Sequence, residues 1–220
     1  MKTKSILIVV GMVLMFLSAK GHSLTNFYDD AVIQEGDVYD YVHVYNDAII
    51  DITGGIVTSL GAYDSSTINL SGGVLDSLSA TESSTMNLYG DTQIGSLGDY
   101  DSGITNMYGG TVDFMKAWNY STVNLYGGII SEYLKAYGTE DLVISIYGYG
   151  FEYDTLAGDY GGGQLTGFWL DDTPFSIDLF GDPGGPGGAP IDTYSHIVLI
   201  PEPATILLFG LGALILKARI

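Results

Sequence analysis

Cysteine is absent from this 220-residue chain, which excludes disulfides and thiolate metal sites and leaves packing and backbone pairing to hold the fold. Cations are nearly as scarce. Five of the seven Lys and Arg lie at the two ends, so Lys116 and Lys135 are the only bases between residues 22 and 200. That segment of 179 residues carries 25 of the 26 carboxylates and a formal charge of −23. Nucleic acid would be repelled by such a surface and is not expected as a partner. No stretch has more than two adjacent acids, the pattern of dispersed, solvated charge. Histidine is sparse too: His22, His43 and His196 have no metal-ligand spacing. A nucleophile elbow of the G-x-S-x-G type is missing.

The apolar runs are short and sit at the ends. Lys2 and Lys4 precede the run Ile6 to Leu17, and Ser18-Ala19-Lys20-Gly21 supplies small residues, so residues 1–21 read as a signal helix cut after Gly21 by signal peptidase. At the other end, Pro201-Glu202-Pro203 is followed by the uncharged run Ala204 to Leu216 and then by Lys217 and Arg219. The prolines stop preceding structure, the run partitions into lipid, and the bases hold the end at the cytoplasmic face. Thirteen residues make a hydrophobic helix of about 20 Å, against a hydrocarbon core of about 30 Å. A transient anchor is expected rather than a permanent transmembrane helix.

This order resembles the PEP-CTERM protein-sorting tail of exported bacterial proteins. The resemblance rests on residues 201–220, with Pro201, Glu202, Pro203, Lys217 and Arg219 as the sorting residues. It implies an exosortase-type membrane protease as partner, anchoring during processing, and delivery to the cell surface or extracellular space. Hosts of such tails tend to make exopolysaccharide, which the resemblance offers as a further partner. Family tails often end in a denser Arg cluster than the Lys217 and Arg219 found here.

Between the ends lies a repeat. Gly54-Gly55, Gly72-Gly73, Gly90-Asp91, Gly109-Gly110 and Gly127-Gly128 recur at steps of 18, 18, 19 and 18, and a degenerate copy follows at Gly148 after a step of 21. The consensus is Ser-Thr-apolar-Asn-apolar-Tyr-Gly-Gly. Ile68, Asn69 and Leu70 alternate as a strand does, with both aliphatics on one side. Val74-Leu75 and Leu78 to Ala80 give two more short apolar stretches before Glu82-Ser83-Ser84 turns the chain. Such a unit cannot bury its own interior, but stacked copies can. The expected fold is all-β, a single-stack parallel β-helix of five to six coils. A right-handed coil is the first choice. The alternatives are a left-handed hexapeptide helix, since Ile50, Ile56, Ala62, Ile68, Val74 and Ala80 recur every sixth residue, and a calcium β-roll, whose GGxGxDx turns are missing. The repeat wording also resembles, more loosely, exported β-helical PEP-CTERM proteins as a group.

Stacking predicts ladders. Asn69, Asn87, Asn106 and Asn124 would form one, Tyr89, Tyr108, Tyr126 and Tyr147 a second, and Tyr63, Tyr100, Trp118 and Tyr137 a third, interrupted by Thr81. The expected organisation is a signal peptide at 1–21, an N-terminal cap at 22–45, the solenoid at 46–151, a capping hairpin at 152–180, a Gly/Pro-rich spacer and tether at 181–200, and the sorting tail at 201–220.

Chemistry is thinly represented. A polysaccharide lyase would need a base and cations to neutralise uronates, and the segment has no Arg. Hydrolysis would need two carboxylates about 5 to 9 Å apart; Asp99 with Asp101, or Asp171 with Asp172, can be nominated, though both pairs fall at expected turns. No catalytic residue, metal or cofactor is assigned, beyond weak surface calcium at Asp64, Glu82 and Asp101. Lys116 and Lys135 lie 19 apart at matching places beside Trp118 and Tyr137. With Tyr100 these five residues are the candidate glycan-binding set, because cations beside aromatics can grip an anionic sugar; pairing of each lysine with a nearby carboxylate is the plainer alternative. An ice-binding Thr face is begun by Thr67, Thr85 and Thr122 and broken by Ile104. The function expected is that of an exported, non-catalytic surface or matrix protein, with a carbohydrate-binding module and a polysaccharide-active enzyme as the other classes.

Overall fold

The structure, a computed structural model, describes residues 23–138, 141–184 and 190–201. The segments read as signal helix and sorting tail, apart from Pro201, lie outside the described residues. Parallel rungs follow one another along the chain: β1 (Leu24–Phe27) and β2 (Ala31–Ile33), β3 (Val38–Val44), β4 (Ile49–Ala62), β5 (Thr67–Ala80), β6 (Thr85–Leu88) with β7 (Gln93–Asp99), β8 (Ile104–Met107) with β9 (Thr111–Asn119), β10 (Thr122–Leu125) with β11 (Ile129–Gly138), and β12 (Val143–Asp154). They form a β-solenoid of about seven turns with a period near 18. Strands expected in the N-terminal cap already join the stack, since β1 pairs with β3 in parallel, Leu24 opposite Tyr41 and Phe27 opposite Val44.

Register follows the alternation in the sequence. Ile50, Ile68, Met86, Thr105, Val123 and Ile144 lie over one another, and each is buried. Within β5, Ile68, Leu70, Leu75, Leu78 and Ala80 point inward, while Thr67 and Asn69 lie on the outer side. One coil thus contributes five apolar side chains to a continuous core that a single coil could not enclose. The every-sixth-residue pattern does not describe this interior: Ile56 and Val74 are 54% and 45% exposed, and Leu70 is fully buried.

The glycine pairs turn each coil for two separate reasons. A β-carbon on Gly72 would lie 2.7 Å from the Thr53 carbonyl oxygen of the neighbouring coil. Gly73 instead has φ +93°, a conformation other residues rarely adopt. The opposite turn uses single left-handed residues, Asn46, Asp64, Glu82, Asp101 and Asn119, with φ between 53° and 62°; Asn and Asp tolerate that region best. The long step into the last copy is absorbed after Gly138 and by a bulge between Ile130 and Tyr133.

The C-terminal end is closed by an antiparallel hairpin, β13 (Gly161–Trp169) and β14 (Pro174–Asp182). β13 pairs with β12, and β14 sets Leu179 opposite Leu134 of β11. Trp169, 4% exposed, donates its indole N–H to the Gly128 carbonyl at 3.2 Å. Leu165, Ile177 and Leu179 are buried beneath the hairpin, which removes the end of the core from water. Part of the segment read as spacer is paired: Gly181 and Asp182 lie opposite Asp192 and Ile191 of β15 (Ile191–Asp192). A 3-10 turn at Thr193–His196 then leads into β16 (Ile197–Pro201), laid on β12 with Ile144 opposite Ile197 and Gly148 opposite Pro201.

Candidate functional site

Alternation carries two sets of side chains to the outer faces. On the first, Asn124 donates to Asn106, Asn106 to Asn87, Asn87 to Asn69 and Asn69 to the Asp51 carboxylate, each at 2.9 Å. Beside this amide ladder, Tyr89, Tyr108, Tyr126 and Tyr147 stack with centroids 5.1, 4.8 and 4.2 Å apart. Burial, with the hydrogen bond between its hydroxyl and that of Tyr147, pushes Tyr126 up to about 12. Ring faces here meet other ring faces and amides meet amides, so the expected ladders consolidate the stack. Thr67, Thr85, Ile104 and Thr122 form the adjoining column.

On the second face, β9 reads Phe114-Met115-Lys116-Ala117-Trp118 and β11 reads Tyr133-Leu134-Lys135-Ala136-Tyr137, with Phe114 opposite Tyr133, Lys116 opposite Lys135 and Trp118 opposite Tyr137. Met115, Ala117, Leu134 and Ala136 are buried, so the aromatic and lysine residues between them project outward. All five candidate glycan-binding residues are brought to this face. Tyr100 stacks on Trp118 at 4.5 Å and lies back over Gly98, where a β-carbon would meet its ring at 2.7 Å; burial raises its pKa. Lys116 Nζ lies 3.4 Å from Ser96 Oγ and 5.7 Å from the Phe114 ring, and Lys135 Nζ lies 4.1 Å over Phe180. Neither forms an ion pair among the described residues. Phe114, Tyr133 and Phe180 were absent from the candidate set, yet the aromatic-x-Lys-x-aromatic wording shared by the two strands places the first two beside the lysines.

The two members of each nominated carboxylate pair have different surroundings. Asp99 is fully buried and points into the core, whereas Asp101 is an exposed turn residue. Burial pushes Asp99 up to about 8, against a smaller lowering from the Thr105 hydroxyl. Neither Asp99 oxygen has a hydrogen-bond partner of acceptable geometry, and the Oγ atoms of Thr105 and Ser121 are buried without partners too. Asp171 accepts from the Thr173 backbone N–H at 3.0 Å, which holds its carboxyl below the usual range. Asp172 accepts from the Tyr149 hydroxyl. Two of the acids nominated for calcium serve the backbone of the neighbouring coil, Asp64 accepting from Asn46 N at 2.8 Å and Glu82 from Asp64 N at 2.7 Å, and the third, Asp101, accepts from Asn119 Nδ2 at 3.2 Å. Among the described residues no group of three or more His, Asp or Glu could hold a metal ion. His43 Nδ1 lies 3.1 Å from the Tyr45 hydroxyl, and His196 Nδ1 3.4 Å from the Leu142 carbonyl oxygen; His22 lies outside the described residues.

Residues 199–219 match the family model of the PEP-CTERM protein-sorting motif. The match starts inside β16, and its remainder, including Glu202, Pro203, Lys217 and Arg219, lies outside the described residues. Among those described, no helix is long and apolar enough to cross a membrane. No curated protein and no solved structure matches the chain.

Proposed function

We propose that this chain, which ends in a PEP-CTERM sorting motif implying export and handling by an exosortase, is a non-catalytic structural component of the cell surface or extracellular matrix. The observation that carries the reading is the continuity of motif and fold: the matched segment begins on the last rung of a rigid solenoid. Such an arrangement suits a rod delivered to the exterior by its own terminus. The outer ladders support a building role, since their amides and rings satisfy one another along the axis. The carboxylates nominated for hydrolysis are engaged in turns or turned inward, which favours a role without catalysis.

Fractionation of producing cells, with mass spectrometry of the mature termini, tests this reading. The expected product begins at His22, has lost the run Ala204 to Leu216, and resides in the surface or matrix fraction. An intact C-terminus on protein retained in the cytoplasm or inner membrane would defeat it.

A further inference from the structure

The third aromatic column is broken at one rung. Tyr63 after β4, Thr81 after β5 and Tyr100 after β7 hold equivalent places, since Thr81 N donates to the Ala62 carbonyl and Tyr100 N to the Ala80 carbonyl. Tyr63 stacks on Tyr45 at 5.1 Å and Tyr100 on Trp118 at 4.5 Å, and His43 meets Tyr63 from the coil that carries Tyr45. The two faces turned toward Thr81 meet no other ring among the described residues. They lie two strand spacings apart, about 9.6 Å. Gly61 and Gly98 are buried beneath the ring of their own coil, where a β-carbon would meet it at 2.8 and 2.7 Å. Ser79, at the matching place on the broken rung, is half-exposed, and Thr81 turns its hydroxyl down to the Ala62 carbonyl at 2.9 Å. Space for one ring is thus open between two ring faces, floored by two short side chains.

The rim of this slot is anionic. Asp64, Glu82 and Asp101 directly follow the three column residues and are in register, Ser83 N donating to the Asp64 carbonyl and Ser102 N to the Glu82 carbonyl. Burial, Tyr63, Tyr28 and the Asp64 carboxylate together raise the Tyr45 pKa, so the field of that carboxylate reaches the column. The three carboxylates already accept from Asn46 N, Asp64 N and Asn119 Nδ2, and they offer a ligand charge more than directed acceptors. Ring faces in a negative field favour a cation over a neutral ring. A cation without N–H donors needs no hydrogen bond from the slot.

We propose that the slot between Tyr63 and Tyr100 binds the quaternary ammonium group of a small choline-like cation, whose methyl groups touch both ring faces above Ser79 and Thr81. Midway between the rings the nitrogen lies about 4.8 Å from each, inside the roughly 6 Å reach of a cation–π contact. The acidic rim adds long-range attraction. Phosphocholine, the form this group takes on a lipid headgroup, is a poorer ligand because its phosphate is repelled by the same acids.

This site goes beyond the structural role and stands apart from it: failure to bind leaves the export result untouched, and the reverse also holds. The full-length chain in maltoside detergent, which carries no ammonium group, is titrated against choline while the choline methyl proton resonance is followed. Contact with ring faces moves that resonance upfield. Choline is expected to bind at least about tenfold more tightly than the neutral alcohol in which a tert-butyl group replaces the trimethylammonium, a factor two cation–π contacts supply. Phosphocholine and ethanolamine should also bind more weakly than choline. Ser79→Gly with Thr81→Tyr copies the Gly61 and Tyr63 arrangement into the broken rung, closes the column, and should abolish binding at an unchanged or raised melting temperature. Tyr63→Leu removes one ring face and carries the test if the double variant folds poorly. Absence of binding, equal affinity for the neutral alcohol or for phosphocholine, or undiminished binding in the variants overturns the proposal.

Discussion

A β-carbon on Gly103 would lie 2.1 Å from Asp99 Oδ1, so the glycine and the buried carboxyl share one space. Their counterparts explain the arrangement. Asp99 is flanked in its column by Ala62 and Ala80 on one side and Ala117 and Ala136 on the other, and Gly103 in its column by Ser66 and Ser84 on one side and Ser121 on the other. At Ser66 and Ser84 the hydroxyl serves the turn, Ser66 Oγ accepting from Tyr63 N at 3.1 Å and Ser84 Oγ accepting from Thr81 N at 3.0 Å and reaching the Ala62 carbonyl at 3.2 Å, whereas Ser121 Oγ is buried without a partner. One coil has exchanged an alanine and a serine for an aspartate and a glycine.

A double-mutant cycle should expose that exchange. Gly103→Ser alone forces a side chain into the carboxyl and is expected to cost about 1–3 kcal/mol. Asp99→Ala with Gly103→Ser restores the Ser84 arrangement and should be more stable than the sum of the single changes implies, by at least about 1 kcal/mol. Urea unfolding of the four proteins measures the coupling; strict additivity would show that the two residues do not share the site.

The same carboxyl sets a pH dependence. Its pKa is raised by burial to about 8, above the roughly 3.9 of an unfolded aspartate, so the folded state binds the extra proton between these values. Stability from this group is therefore complete below pH ~4, falls as pH rises toward ~8, and levels off above. The melting temperature of Asp99→Asn minus that of the unaltered chain should grow across this window by about 5 °C or more. A flat difference, or one that shrinks with rising pH, contradicts the assignment.

Backbone crowding and backbone conformation separate at the glycine turns. Gly72→Ala meets the Thr53 carbonyl and should cost about 1–3 kcal/mol. Gly90→Asn, at φ 55° with its β-carbon 3.4 Å from the nearest atom, should be within about 0.5 kcal/mol of neutral, because asparagine tolerates this region. Thermal melts of both variants decide, and a reversed order would be incompatible with these turns.

Interior and terminal rungs of the amide ladder differ in what they strand. Asn87→Ala leaves both Asn106 Nδ2 and Asn69 Oδ1 without partners, whereas Asn124→Ala removes one bond. The first should destabilise by about 1 kcal/mol and the second by about half as much. Equal losses in denaturant titrations would mean that stability does not follow the number of ladder bonds removed.

Much of this was legible in the sequence because a stacked coil repeats its chemistry at each rung. The Asn and Tyr columns could be read from spacing alone, and so could the inward Ile68 and Leu70. Asp99 was harder, since its type suggested a turn; only alignment of Leu97-Gly98-Asp99 with Leu78-Ser79-Ala80 turns it inward. The lysine face was found through Lys116 and Lys135, but Phe180 arrives from the hairpin, where no repeat spacing points to it. Composition also concealed pairing near the C-terminus, because the glycines and prolines between Gly181 and Pro190 give no sign that Gly181 and Asp182 meet Ile191 and Asp192.

β16 ends at Pro201, and only Glu202 and Pro203 separate it from the apolar run that starts at Ala204, a reach of about 10 Å even when extended. Before processing, the protein is therefore moored by its final rung rather than suspended on a leash. With the membrane anchoring before processing that the sorting motif implies, it is the last-translated rung that would lie nearest the lipid headgroups.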